Sequence, residues 1–261
     1  MNTFIGSGQI SDNDFTFDIK RVPFGRKLSY MSIKDGTYPD EEGTERSQLG
    51  LFRLPRKYAA VERLQSMFFP CVMSIRPVYG GISIPYECTA TPSMLEVRTE
   101  YGYVQFCFDS KDILRIRGSR IGLRFFSKLN AHDGFVSRLD GTHQVTYDMV
   151  GEFLFVPVNG ELKIQGKWNE EKSCNEEVML DISCGSDEKF ELALHFSVCD
   201  IERCPSYRPF DECVDEARKD YEDWLAVYPE VPEKYEYVRK VAVYCIWTCC
   251  VGPMGLLKNN I

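Results

Sequence analysis

Two periods divide this chain. From about residue 12 to 200, apolar side chains recur at every second position in short runs broken by Gly, Pro, Asn and Asp. Phe190, Leu192, Leu194, Phe196 and Val198 alternate with Glu191, Ala193, His195, Ser197 and Cys199. That predicts a half-buried strand with His195 on its polar face. Leu114 and Ile116 alternate with Arg115 and Arg117, and after Gly118-Ser119 the pattern resumes at Ile121, Leu123 and Phe125, which reads as a hairpin with one solvated face. Leu95 to Phe108 holds two more β-rich runs around Glu100-Tyr101-Gly102, and Phe153 to Val158 is apolar on both faces, as a central strand would be. Leu162 to Trp168 follows the turn Asn159-Gly160. Many short strands without helical periods between them predict a mainly β fold, an antiparallel β-sandwich rather than a parallel α/β sheet.

After residue 205 the period lengthens to that of a helix. Phe210, Cys213, Val214, Ala217, Tyr221, Trp224 and Leu225 recur at i, i+3, i+4 and i+7, with Pro209 in the first turn and Tyr228-Pro229 as the stop. Pro232 opens a second helix expected from Glu233 to Val251, ending at Gly252-Pro253. No charge interrupts it after Lys240 until Lys258. A helix apolar all round must be covered on every side. It therefore calls for further helices, from a longer chain or from a partner, and predicts self-association when alone. The chain divides accordingly into a sandwich at 1–205, a helical linker at 206–232 and the start of a helical domain at 233–261.

Charge narrows the possible partners. Lys and Arg number 31 against 39 Asp and Glu, a formal net charge of −8, which disfavours nucleic acid. No apolar run reaches the roughly 18–20 residues that span a membrane. The N-terminal MNTFIGSGQISDNDF lacks the basic and apolar regions of a signal peptide, so the expected compartment is cytoplasmic. The 11 cysteines, an odd number without C-x-x-C spacing, then read as reduced, mostly buried thiols and not as a zinc site. The acidic stretch Asp40 to Glu45 reads as an exposed loop.

Motifs that carry chemistry are sparse. Gly160 to Lys167 is one residue too long for a phosphate loop, and Trp168 stands where Ser or Thr should hold magnesium. Gly6-Ser7-Gly8 lacks the rest of a dinucleotide motif, and no G-x-S-x-G elbow occurs. His132, His143 and His195 share no ligand spacing. Lys111, Arg115, Arg117, Arg120, Arg124 and Lys128 form a cationic stretch, open to two readings: an anion site or the solvated face of the hairpin. No two acids are paired by the sequence across a cleft, as glycosidic chemistry needs.

Three segments carry a resemblance. Val22 to Ile33, VPFGRKLSYMSI, is similar to an opening pattern PFSRxGSYxxI, departing from it at Gly25 and Leu28. Gly50 to Leu54 is similar to a G-x-L-F-R-L strand. Trp224 to Pro232 and Tyr244 to Gly255 resemble W-L-x-x-x-P-x-V-P and Y-x-I-W-x-x-x-V-x-P-x-G. The chain in this respect resembles the N-terminal part of bacterial amylo-α-1,6-glucosidase-like glycoside hydrolases, akin to glycoside hydrolase family 63. The resemblance implies a β-sandwich, a helical linker and an (α/α)6 catalytic barrel whose first helix lies within 233–261. It implies hydrolysis of α-glucosidic bonds in oligosaccharides or glycogen-like glucans by two carboxylates, with no metal or cofactor. Both carboxylates would fall beyond Ile261, so the resemblance gives no catalytic residue here.

Trp247, Pro253 and Gly255 match the end of the first barrel helix and its loop, near the sugar-binding face. Trp247 is thus the candidate substrate-binding residue, with barrel packing as the alternative; Arg26 and Tyr30 read as packing and interdomain residues. The competing reading is a free-standing carbohydrate-binding or scaffolding module, with Tyr101 and Tyr103 as candidate sugar platforms.

Overall fold

A computed structural model describes residues 10–40, 42–53, 71–148, 150–196 and 206–250. Their strands form two eight-stranded antiparallel sheets. The first runs β1 (Phe24–Gly25), β2 (Met31–Pro39), β3 (Glu45–Arg53), β4 (Met73–Tyr79), β10 (Gly122–Lys128), β15 (Cys174–Ser183), β14 (Glu161–Asn169), with β5 (Ile82–Ser83) paired to β4. The second runs β11 (Gly134–Ser137), β12 (His143–Tyr147), β13 (Gly151–Asn159), β16 (Lys189–Phe196), β9 (Ile113–Ser119), β8 (Tyr103–Ser110), β7 (Leu95–Arg98), β6 (Glu87–Ala90). Alternation supplies the core: Phe190, Leu192, Leu194 and Phe196 of β16 all face inward with Leu114 and Ile116 of β9. Across the two layers, Phe125 meets Phe155 edge-on with ring centroids 5.2 Å apart.

The hairpin expected at Leu114–Phe125 does not form. β9 pairs with β8 and β16, whereas β10 pairs with β4 and β15. The chain crosses from one sheet to the other at Arg120, which sits at φ +65° and donates its N–H to Glu188 O at 2.9 Å. Gly118 is needed just before the crossing because the Phe190 ring occupies the space a Cβ would take. Asn159-Gly160 is a second crossing, from β13 to β14, with Gly160 at φ +92°.

Two helices follow, α1 (Phe210–Ala226) and α2 (Glu236–Cys249), the latter entered through a 3-10 turn at Glu233–Tyr235. Phe210, Cys213, Val214 and Ala217 of α1 pack on Met94 and Cys107, on the outer face of the second sheet. The polar side chains of β9 and β16 are therefore covered, not solvated as the alternation alone predicts. Arg115, only 1% exposed, pairs with Glu191, donates to Asp109 Oδ2 at 3.4 Å and to Arg208 O at 3.1 Å, and lies 4.5 Å from the Tyr207 ring. Arg117 bonds Gln105 and Asp211, each at 2.8 Å. His195 is buried, with Nε2 2.6 Å from Tyr207 Oη.

The cationic stretch is thus split between two sheets and largely neutralised, since Arg124 makes a bidentate pair with Asp181 at 2.7 Å and Arg120 meets Glu188 at 3.4 Å. The acidic loop is exposed at residues 42–44, as expected, but not at its start. Asp40 is buried, and its Oδ1 accepts the N–H groups of Glu42 and Thr44 at 3.0 and 2.8 Å. Among the described cysteines only Cys107 and Cys213 are buried and Cys249 is exposed, so most are less covered than expected. Cys199 and Cys204 lie outside the described residues. No helix among the described residues is long and apolar enough to cross a membrane.

Candidate functional site

The loop Phe24–Leu28 meets both helices at one end of the sandwich. Tyr244 ties α2 to it, donating to Gly25 O at 3.2 Å and accepting Gly25 N–H at 3.1 Å. Burial pushes the Tyr244 phenol upward, so it keeps the proton that this bond requires. Leu28 N–H donates to Cys250 O at 2.7 Å. Leu28 itself stands at φ +70°, a left-handed conformation that favours glycine, at the very position where the resembled pattern has Gly.

The helices are locked to each other as well. Tyr221 donates to Lys240 O at 2.9 Å, and Trp224 Nε1 to Val243 O at 3.4 Å. Arg239 caps the end of α1 by donating to the carbonyls of Leu225 and Tyr228 at 3.0 Å and of Pro229 at 2.7 Å.

Between these elements lies a cavity of about 510 Å³ lined by Arg26, Lys27, Asp220, Asp223, Trp224 and Trp247, among others. Arg26 is buried and donates to the carbonyls of Phe108 and Asp109 at 2.7 and 3.1 Å, while pairing with Glu216 at 3.3 Å and with Asp220. It therefore joins sandwich, loop and α1. Lys27 Nζ lies 4.0 Å from the centre of the Trp224 ring. Trp247 is 2% exposed and meets the Tyr221 and Trp224 rings at 5.8 and 6.1 Å. Its indole N–H has no hydrogen-bond partner among the described residues. A buried unpaired donor is costly, and native structures usually give such a group a partner. Two carboxylates, two cations and aromatic walls together suit a neutral, hydroxyl-rich ligand.

Trp247, singled out by the sequence, thus lines the cavity with Arg26. Tyr30 does not; it lies in the core, stacked on Phe196 at 6.0 Å. Tyr101 and Tyr103 stand elsewhere: Tyr101 is in the turn before β8, stacked on Tyr79, and Tyr103 opens β8. Pro253 and Gly255 lie outside the described residues. His132, His143 and His195 are not gathered into a metal-holding group among the described residues. Asp220, Asp223, Trp224 and Val227 were not foreseen as lining one space. Their i, i+3, i+4, i+7 spacing on α1 is the signal that groups them.

No family model matches the chain, and no curated protein matches it. Among solved structures it is similar to a family GH92 inverting mannosidase from Bacteroides thetaiotaomicron, with a TM-score of 0.60 at 10% identity, over 94% of this chain and 41% of that one. The likeness is one of fold. The chain spans less than half the length of that mannosidase chain.

Proposed function

We propose that this chain is the non-catalytic N-terminal β-sandwich region of a glycoside hydrolase that cleaves α-glucosidic bonds in oligosaccharides or glycogen-like glucans. The observation that carries the reading is the fold likeness to a glycosidase over 94% of the chain. The glucan-directed part rests on the motifs at Val22–Ile33 and Trp224–Gly255. In this reading 1–205 is the sandwich, 206–232 the linker and 233–261 the opening of an (α/α)6 barrel that carries the two catalytic carboxylates.

The outer face of α2 supports that arrangement. Val238 is 63% and Ile246 46% exposed, and Ala242 and Cys249 are exposed on the same stripe. Helices of the barrel cover this stripe in the parent protein, and a second copy covers it when the chain is alone. In this reading Trp247 is the substrate-binding residue, its ring face set against the C–H bonds of a sugar.

The test is hydrolysis by the full gene product, with the anomer released followed by NMR. Cleavage of α-glucosides with inversion, and inertness of the 261-residue chain, are expected. Cleavage of α-mannosides alone overturns the substrate assignment, and inertness toward both overturns the reading. The free-standing carbohydrate-binding module is the second reading, favoured by the exposed tyrosines.

A further inference from the structure

The exposed tyrosines lie far from the Trp247 cavity and its Arg26 wall. β8 runs from Tyr103, beside the Thr99–Gly102 turn, to Asp109, which meets Arg26. Six residues of extended strand put the two ends roughly 20 Å apart. At the far end Tyr79 and Tyr101 stack face to face, with ring centroids 4.2 Å apart and planes within 4°. They are 48% and 43% exposed, and Ile82, which pairs with Tyr79 in the β4–β5 hairpin, is more exposed still. Single exposed apolar residues are ordinary, but a stacked pair with a third apolar neighbour is a patch.

Both rings stand on rigid backbone. Tyr79 precedes Gly80 and Gly81, at φ +59° and +81°, the left-handed pair that a tight hairpin requires. Tyr101 sits in a turn held by Thr99, whose Oγ1 accepts the N–H groups of Tyr101 and Gly102 at 3.2 and 3.0 Å, and whose hydroxyl donates to Gly102 O at 2.9 Å. Gly102 lies so close to Ser119 O and Arg120 that a Cβ there would collide. The neighbouring crossing places the ion pair of Arg120 and Glu188, 3.4 Å apart and solvent-exposed, beside the same turn. Both of its members hold left-handed backbone without being glycine, at φ +65° and +57°.

We propose that Tyr79 and Tyr101 form a carbohydrate-binding platform, taking a pyranose of an oligosaccharide or polysaccharide, with Arg120 and Glu188 as hydroxyl partners. The C–H face of a pyranose lies flat on an aromatic face, and rings already fixed in place lose little freedom on binding. Size excludes a protein partner. Two half-exposed rings and an isoleucine offer on the order of 300 Å², against about 800 Å² per partner in a standard protein interface. Nucleic-acid bases also stack on tyrosine, but a chain with net charge −8 repels their phosphates. The platform is separate from the Trp247 cavity and does not depend on the chain belonging to a hydrolase.

The test is affinity electrophoresis of the 261-residue chain in native gels containing soluble glycogen or mannan, against gels without polysaccharide. The expected result is retardation by at least one polysaccharide. Tyr79→Ala and Tyr101→Ala should each weaken it roughly two- to tenfold, the range one aromatic contact supplies. Tyr101→Leu, which keeps an apolar side chain without the ring, should do the same, while Tyr79→Phe and Tyr101→Phe retain the retardation. No retardation in either gel overturns the proposal. So does retardation unchanged in all three ring-deleting variants, which would move sugar binding away from the two rings.

Discussion

Acidification should destabilise this fold through one buried histidine. His195 lies under the Tyr207–Pro209 segment, and its pKa is lowered from 6.5 to about 4, first by burial and then by the Arg115 cation, with Asp109 acting in the opposite direction. In the unfolded chain the imidazole regains its ordinary pKa. Between these two values the unfolded state binds more protons than the folded one, so stability is lost as the pH falls. Going from pH 7.5 to 5.0 then costs about 2 kcal/mol through this residue. Asp35 works the other way, since burial raises its pKa and its protonation favours the folded state. A comparison with His195→Gln cancels Asp35 and the other carboxylates. Urea unfolding at pH 7.5 and 5.0 should show the wild-type midpoint falling about 0.7 M further than the variant's, for a slope of about 3 kcal/mol/M. Equal pH-dependent shifts in the two proteins would show that His195 is not held neutral by its surroundings, and the reasoning would fail.

Three further outcomes follow from the geometry. Gly118→Ala should cost about 1–3 kcal/mol in chemical denaturation, because the new methyl meets the Phe190 ring at the sheet crossing. Leu28→Gly should raise the unfolding free energy in urea titration by up to about 1 kcal/mol, the relief of a left-handed leucine less the added freedom of the unfolded chain. Val238→Glu combined with Ile246→Glu should shift the chain toward monomer in sedimentation with little change in thermal midpoint, since both side chains are already exposed.

What the chain reveals by pattern alone is local. Alternation at Phe190–Phe196 identifies both the strand and its inward set, and the 3.6-residue period at Phe210–Leu225 identifies α1, because each depends on which face is buried. Partner choice is not local. Gly118-Ser119 has the composition of a hairpin turn, yet an inward–outward pattern is unchanged whether the next strand pairs with its predecessor or crosses to the facing sheet. Likewise Arg115 and His195 occupy polar positions of their strands, and only residues 207–217, far along the chain, decide that those positions are covered. Trp247 is recognisable from its motif, but the cavity also needs Arg26, more than 200 residues earlier in the chain. The Tyr79–Tyr101 stack joins turns at the ends of strands in different sheets, and no spacing signals it.

The seam between sandwich and helices explains why so many charges are buried at that end. Its apolar part is small: six residues, Met94, Cys107, Phe210, Cys213, Val214 and Ala217, make the buried cluster under α1. Around it Arg115 and Arg208 converge on the Asp109 carboxylate, Arg26 and Arg208 on the Asp109 carbonyl, and Arg26 and Arg208 again on Glu216. Burying such ions costs much of what their attraction returns, so the network adds little net stability over an apolar seam of the same size. What it adds is registry. An apolar helix can slide along a flat apolar sheet at little cost, but sliding α1 by one turn would take Glu216 and Asp220 away from the buried Arg26 and Asp211 away from Arg117. Breaking a buried pair in that way costs about 3–5 kcal/mol. The position of α1 fixes Asp220, Asp223 and Trp224, and through Tyr221 and Trp224 it fixes α2 and Trp247. The shape of the cavity is thus set by the charges that hold α1, with Arg26 and Asp220 in its own wall, and substitutions at Asp109 should reach Trp247 without touching it.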